Sequence, residues 1–195
     1  MRRSWPLLGA LVLVNPLLNG CVPVVLVGGA AATASVVHDR RTTGSIVEDQ
    51  AIEMRIKTAL RKDEEIAEQT HINVTSYNGI VLLSGEAPSQ SLSTRAGGIA
   101  RNEKQVRRVH NELKIAAPSS AMTRSSDSWI TTKVKSSLVG LDIKGFDPSR
   151  IKVVTENGTV YLMGMVYHGE ADAAVAQTQQ VKGVQRIVKL FEYLD

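Results

Sequence analysis

The chain has 195 residues, 43% of them hydrophobic and 22% charged, which is ordinary for soluble globular protein and leaves room for one or two small domains. Its formal charge of +4 includes Arg2 and Arg3, which belong to an export signal; without them 21 Lys and Arg face 19 Asp and Glu, and a net of +2 excludes the concentrated basic footprint of a nucleic-acid binder. A single cysteine excludes an internal disulfide, so the folded part must rest on apolar cores.

Met1-Arg2-Arg3 forms a basic start, residues 7–18 an apolar run, and Leu18-Asn19-Gly20-Cys21 closes it. This layout reads as a bacterial lipoprotein signal over residues 1–20, with Asn19 where Ala or Ser is usual, and makes Cys21 the first mature residue and the lipidation site. Each methylene of an attached acyl chain adds about 0.8 kcal/mol of membrane affinity. The other reading, a spanning helix with Cys21 buried inside it, meets Pro16, Pro23 and Gly28-Gly29, which interrupt the uninterrupted apolar run that a span requires. Residues 21–48 then form a lipidated tether rich in Gly, Ala, Ser and Thr, with a reach on the order of 90 Å if extended. The pairs Arg40-Arg41 and Arg107-Arg108 read as solvated surface.

Beyond the tether the chain repeats itself. Ile72-Asn73-Val74 recurs as Ile151-Lys152-Val153, Asn78-Gly79 as Asn157-Gly158, and Gly85 as Gly164; Asp49, Ile52, Lys57 and Leu60 recur as Asp127, Ile130, Lys135 and Leu138. Ile52, Ile56 and Leu60, like Ile130, Val134 and Leu138, form the apolar stripe of an amphipathic helix. Asp127 or Ser128 is the expected cap of the second of these helices. A hairpin follows in each copy, with strands over 72–77 and 80–83 flanking Asn78-Gly79, a dipeptide that tolerates the positive φ of a tight turn. Helices over 89–104 and 170–181 precede closing strands from Val106 and Val184. The expected fold is α+β: two tandem modules, 49–117 and 127–195, joined by a Ser-rich linker over 118–126. Each module runs helix-strand-strand-helix-strand, with a three-stranded mixed sheet packed by two helices. Units of about 68 residues bury a modest share of their surface and are expected to pack together or lean on a partner.

The paired Asn-Gly hairpins, the glycine at the end of the second strand and the closing valine-rich strand resemble BON domains. With the lipoprotein signal, Asp127-Ser128-Trp129-Ile130-Thr131-Thr132-Lys133-Val134 and Thr155-Glu156-Asn157-Gly158, the chain is similar to dual-BON outer-membrane lipoproteins over nearly its whole length. The resemblance implies a non-enzymatic lipoprotein on the outer membrane, facing the periplasm. It further implies association with anionic phospholipid, support of outer-membrane integrity, and work near the assembly machinery for outer-membrane β-barrels. Val22 is not the Asp associated with inner-membrane retention.

Where the copies diverge, function is sought. Trp129 stands where the first copy has Ala51, about 140° from the centre of the apolar stripe, and is expected to point outward. Lys133 lies one turn along, with Ser136 nearby, Val139 off the core arc and Lys135 at one edge. An indole suits the lipid headgroup level, and a lysine beside it gains about 1 kcal/mol at an anionic surface. The alternatives, behind lipid contact, are that Trp129 packs against the first module or meets a protein partner. Phe146 in the Lys144-Gly145-Phe146 loop reads as core before anchor.

Chemistry is sparse. His38, His71, His110 and His168 lack metal-ligand spacing, Gly97-Gly98 lies in a helical pattern where small residues allow close packing, and Asp63-Glu64-Glu65 lacks a calcium-loop pattern. No catalytic residue, metal or cofactor is expected. Two readings remain, a membrane-reading lipoprotein and a protein-interaction scaffold, with the oligomeric state open.

Overall fold

The computed structural model describes residues 39–195, so the signal peptide, Cys21 and tether residues 22–38 lie outside the described residues. The fold is α+β. In the first module α1 (Thr43–Lys62) and the short α2 (Glu64–Gln69) lead to β1 (His71–Tyr77), β2 (Ile80–Ala87), α3 (Gln90–Arg101), β3 (Arg108–Asn111) and β4 (Lys114–Ile115). In the second, α4 (Ala121–Val139) leads through a 3₁₀ turn, Pro148–Arg150, to β5 (Ile151–Glu156), β6 (Thr159–Val166), α5 (His168–Gln179) and β7 (Arg186–Tyr193). The first two strands of each sheet are antiparallel, and the closing strand joins parallel to the middle one, across the helix between them.

Both opening helices begin earlier than composition suggests. Thr42 caps α1, its hydroxyl accepting from the Ser45 amide at 3.1 Å, and Ser120 caps α4 by accepting from the Thr123 amide at 3.2 Å. Residues 43–48 of the expected tether and 121–126 of the expected linker are therefore helical, because Ser and Thr signal a cap as readily as a linker. Asp127 is not the cap. It lies inside α4, buried, and accepts the Asn157 and Gly158 amides at 2.8 and 2.9 Å. Asp49 does the same in the first module, taking Asn78 and Gly79 at 2.7 and 2.8 Å. The repeated Asp thus ties each opening helix to its hairpin turn, where Asn78 and Asn157 have φ of 51° and 48°.

The two sheets face each other. Val81 and Leu83 of β2 point into the first helical core and Val160 and Leu162 of β6 into the second. The alternate residues Ile80 and Leu82 meet Tyr161, Met163 and Leu190, with Tyr77 beside them, in a third cluster shared by both modules. All eight residues of β2 are consequently buried. A polar rim surrounds this seam, and the turn asparagines reach across it in both directions, Asn78 to Glu192 at 2.7 Å and Asn157 to Glu86. Lys152 of β5 pairs with Glu53 of α1 at 2.9 Å.

Burial raises the Glu53 pKa, but the Ser76 amide and the Lys152 ammonium outweigh it, and the carboxyl titrates below its ordinary value. A depressed folded pKa means stability that is present above the unfolded pKa and lost as pH falls through the folded one. Below about pH 4.3, the ordinary Glu value, the seam is therefore expected to weaken. The denaturation midpoint of Glu53→Gln should fall less on acidification than that of the wild type; equal slopes would remove Glu53 from the account.

The segment just before α1 is anchored. Arg41 pairs with Asp49 at 2.7 Å and its guanidinium lies 3.8 Å from the centre of the Tyr77 ring, while Arg40 donates to both Glu170 oxygens, at 2.6 and 2.8 Å, in the second module. These arginines are 20% and 11% exposed at the side chain, not solvated as expected, because buried carboxylates take their charge. Arg107, at 57%, does face solvent.

Candidate functional site

The opening helices α1 and α4 are copies of one element, and their buried stripes agree: Asp49, Ile52, Ile56 and Leu60 in one, Asp127, Ile130, Val134 and Leu138 in the other. Their outer faces do not. Trp129 on α4 is 61% exposed, and the Lys133 ammonium sits 4.8 Å from its ring centre, a cation–π contact that places a charge beside the indole. Ser136 is exposed on the same arc. Trp129 does not fill the contact between modules, which is the sheet-to-sheet cluster.

Lys135 and Val139 lie elsewhere. Both line a groove of about 540 Å³ between α4, the 3₁₀ turn and α1, together with Arg41, Glu53 and Lys152. Val139 is nonetheless 71% exposed. Trp129, Lys133 and Ser136 are therefore one surface, with Lys135 and Val139 on its flank.

Met122, 84% exposed, extends that surface from the Ser-rich stretch whose composition reads as linker but which forms the first turns of α4. Seven residues before Trp129 on a continuous helix, it stands only about 20° away around the axis. From Met122 to Ser136 the face runs roughly 21 Å along the helix. Two hydroxyls beside it are satisfied from within the helix: Ser128 donates to the Arg124 carbonyl at 3.0 Å and Thr132 to the Ser128 carbonyl at 2.9 Å. Hydroxyls bonded back to the helix reduce the cost of pressing this face against a poorly hydrated surface.

Other singled-out residues resolve differently. Phe146 packs against the core of the second module, as expected of core before anchor. Gly97 is buried against Asn111, whereas an alanine methyl at Gly98 would meet nothing within 4 Å, so only the first glycine serves close packing. Asp63 caps α2 and, with Glu65, pairs with Arg95. His168 is 59% exposed at the side chain, stacks on Tyr193 and pairs with Asp195 at 2.7 Å. His71 lies beside Glu86 and Glu156 at the seam. No described helix is long and apolar enough to cross a membrane.

Comparison with known proteins adds relatives to this geometry. The model of the BON domain family matches residues 48–117 and 126–195. The outer membrane lipoprotein DolP of Haemophilus influenzae is 40% identical over 196 residues, covering 100% of this chain and 97% of the relative. A 21 kDa hemolysin of Actinobacillus pleuropneumoniae is 38% identical, with 80% of this chain and 79% of the relative covered. Osmotically-inducible protein Y of Escherichia coli is 31% identical, over 80% of this chain and 78% of its own.

Proposed function

This chain belongs to the BON domain family, and from that premise we propose that it is an outer-membrane lipoprotein, anchored at Cys21 and facing the periplasm, whose second module binds anionic phospholipid through α4. The observation that carries the proposal is the outward Trp129 with the Lys133 ammonium 4.8 Å from its ring. An indole has an apolar body and a polar N–H and settles at the headgroup level, and a lysine near an anionic leaflet gains about 1 kcal/mol. Met122 and Ser136 extend the contact along the helix, and Val139 and Lys135 add apolar area and charge at its edge. The name of the Haemophilus influenzae relative supports the location. Support of outer-membrane integrity follows as the role of a second, reversible contact added to a permanent anchor.

Vesicle co-sedimentation of the unlipidated chain from Val22 tests this. Wild type should sediment with phosphatidylglycerol vesicles and not with neutral phosphatidylcholine, and Trp129→Glu should bind about tenfold more weakly or not at all. Because Trp129 is 61% exposed, the variant should keep its circular dichroism and its stability within about 0.5 kcal/mol. Equal binding by both proteins, or none by either, refutes the lipid reading.

A second reading, a protein-interaction scaffold serving the β-barrel assembly machinery, is favoured by α1, where Val47 and Met54 stand 61% and 69% exposed one heptad apart. It predicts that Met54→Glu loses capture of that machinery while vesicle binding persists.

A further inference from the structure

Two carboxylates are buried where the modules meet. Glu86 of β2 is 2% exposed and Glu156 of β5 is 3% exposed, and among the described residues no Lys or Arg is bonded to either. A buried carboxylate without a counter-charge is costly, so something positive is expected between them. His71 stands there. Its Nδ1 lies 3.3 Å from Glu86 Oε2, close enough for an ion pair, yet it is too poorly directed to make a hydrogen bond. One donor atom each from His71, Glu86 and Glu156 falls within 4.8 Å of the other two.

The buried side-chain atoms without a partner belong to residues that neighbour Glu86. Among the described residues these are His71 Nδ1, Ser84 Oγ and Ser119 Oγ. His71 is the register partner of Glu86 across β1 and β2. Ser84, fully buried, is two residues from Glu86 on the same face of β2, opposite Asn73. Ser119 donates its amide to Glu86 at 3.1 Å. Buried polar groups are nearly always bonded, so three orphans around one carboxylate mark a place for a further group.

We propose that His71, Glu86 and Glu156 bind a divalent cation of the zinc class, bridging the two modules. One imidazole nitrogen and two carboxylates form a donor set that suits zinc and is poor for calcium, which prefers oxygen alone. Water completes the shell. The carboxylates are already oriented as metal ligands are: Asn73 donates to Glu156 at 2.8 Å, and Asn157 and the Ser119 amide hold Glu86. Side-chain rotations are required to close the three donors, now within 4.8 Å of one another, onto an ion. Since His71 and Glu86 come from the first module and Glu156 from the second, the ion fastens the seam.

The test is a titration of the metal-stripped full-length protein with zinc by calorimetry, and with cobalt by its visible absorption. One ion per chain should bind, with an intense low-coordinate cobalt spectrum that zinc abolishes. Glu156→Gln and His71→Ala should each weaken binding by tenfold or more, taking the ~10–100-fold cost of losing supporting groups as the floor. Glu156→Gln preserves shape and keeps an acceptor for Asn73, so it decides the matter if His71→Ala fails to fold. His168→Ala, at the exposed His168–Asp195 pair, should bind as wild type does. No binding, binding indifferent to Glu156→Gln, or binding lost only in His168→Ala overturns the proposal.

Discussion

Replacing Gly85 with alanine should unfold the first module. Gly85 sits in β2 with φ of +117°, and a Cβ built there would lie 2.0 Å from the carbonyl oxygen of His71 on the neighbouring strand. That oxygen belongs to backbone paired in register with β2, so it cannot retreat without breaking the β1–β2 ladder. The positive φ alone costs about 1–3 kcal/mol for a residue with a side chain. With the steric clash the total should exceed about 4 kcal/mol, comparable to the whole stability of so small a unit. Gly164, its counterpart, has its virtual Cβ 2.6 Å from the Arg150 carbonyl and no positive φ, so Gly164→Ala should cost less. Gly98→Ala, in open space on α3, should instead add about 0.5–1 kcal/mol. Urea midpoints of the three variants give the ranking; a Gly85→Ala protein as stable as wild type would defeat the account.

The second large effect is expected at Asp49. Its carboxylate accepts the Asn78 and Gly79 amides, the Ser76 hydroxyl at 2.6 Å and an Arg41 nitrogen at 2.7 Å. Asp49→Ala leaves these donors without their acceptor in a buried place, and about 3–5 kcal/mol should be lost. Asp127→Ala removes two amide bonds and no arginine contact, and about 2–3 kcal/mol is expected. Asp49→Asn keeps the shape but leaves one acceptor oxygen, and should fall between wild type and alanine. Denaturation midpoints rank the three, and hydrogen exchange at Asn78 and Gly79 should quicken in Asp49→Ala. If exchange at the turn is unchanged, the carboxylate does not hold it.

Much of this architecture was legible because it is local. The stripe at Ile52, Ile56 and Leu60, the Asn-Gly turns and the outward bearing of Trp129 follow from helix and strand periods within a few residues. The repeat exposed Gly85, Gly164, Asp49 and Asp127 as shared positions, but a repeated letter does not disclose its cause. For the glycines the cause is a carbonyl on the adjacent strand; for the aspartates it is a turn some thirty residues away. The seam was hidden because Ile80, Val81, Leu82 and Leu83 form a continuous apolar run, which cannot say which side meets a helix and which a sister sheet. Met122 was lost to composition, since the Ser-rich stretch around it contains both the cap and the first turns of α4. Histidine spacing could not announce the carboxylates beside His71, because they come from another strand and another module.

The grip of Arg40 and Arg41 bears on how the protein hangs from its mooring. Arg40 is held by Glu170 of the second module, and Arg41 by Asp49 and Tyr77 of the first. Tension arriving along the chain before Asp39 is thus shared between both halves, loading the joint rather than peeling one half from the other. The same fastening fixes Asp39 relative to α4, so any pull through the preceding residues enters the body at one defined point.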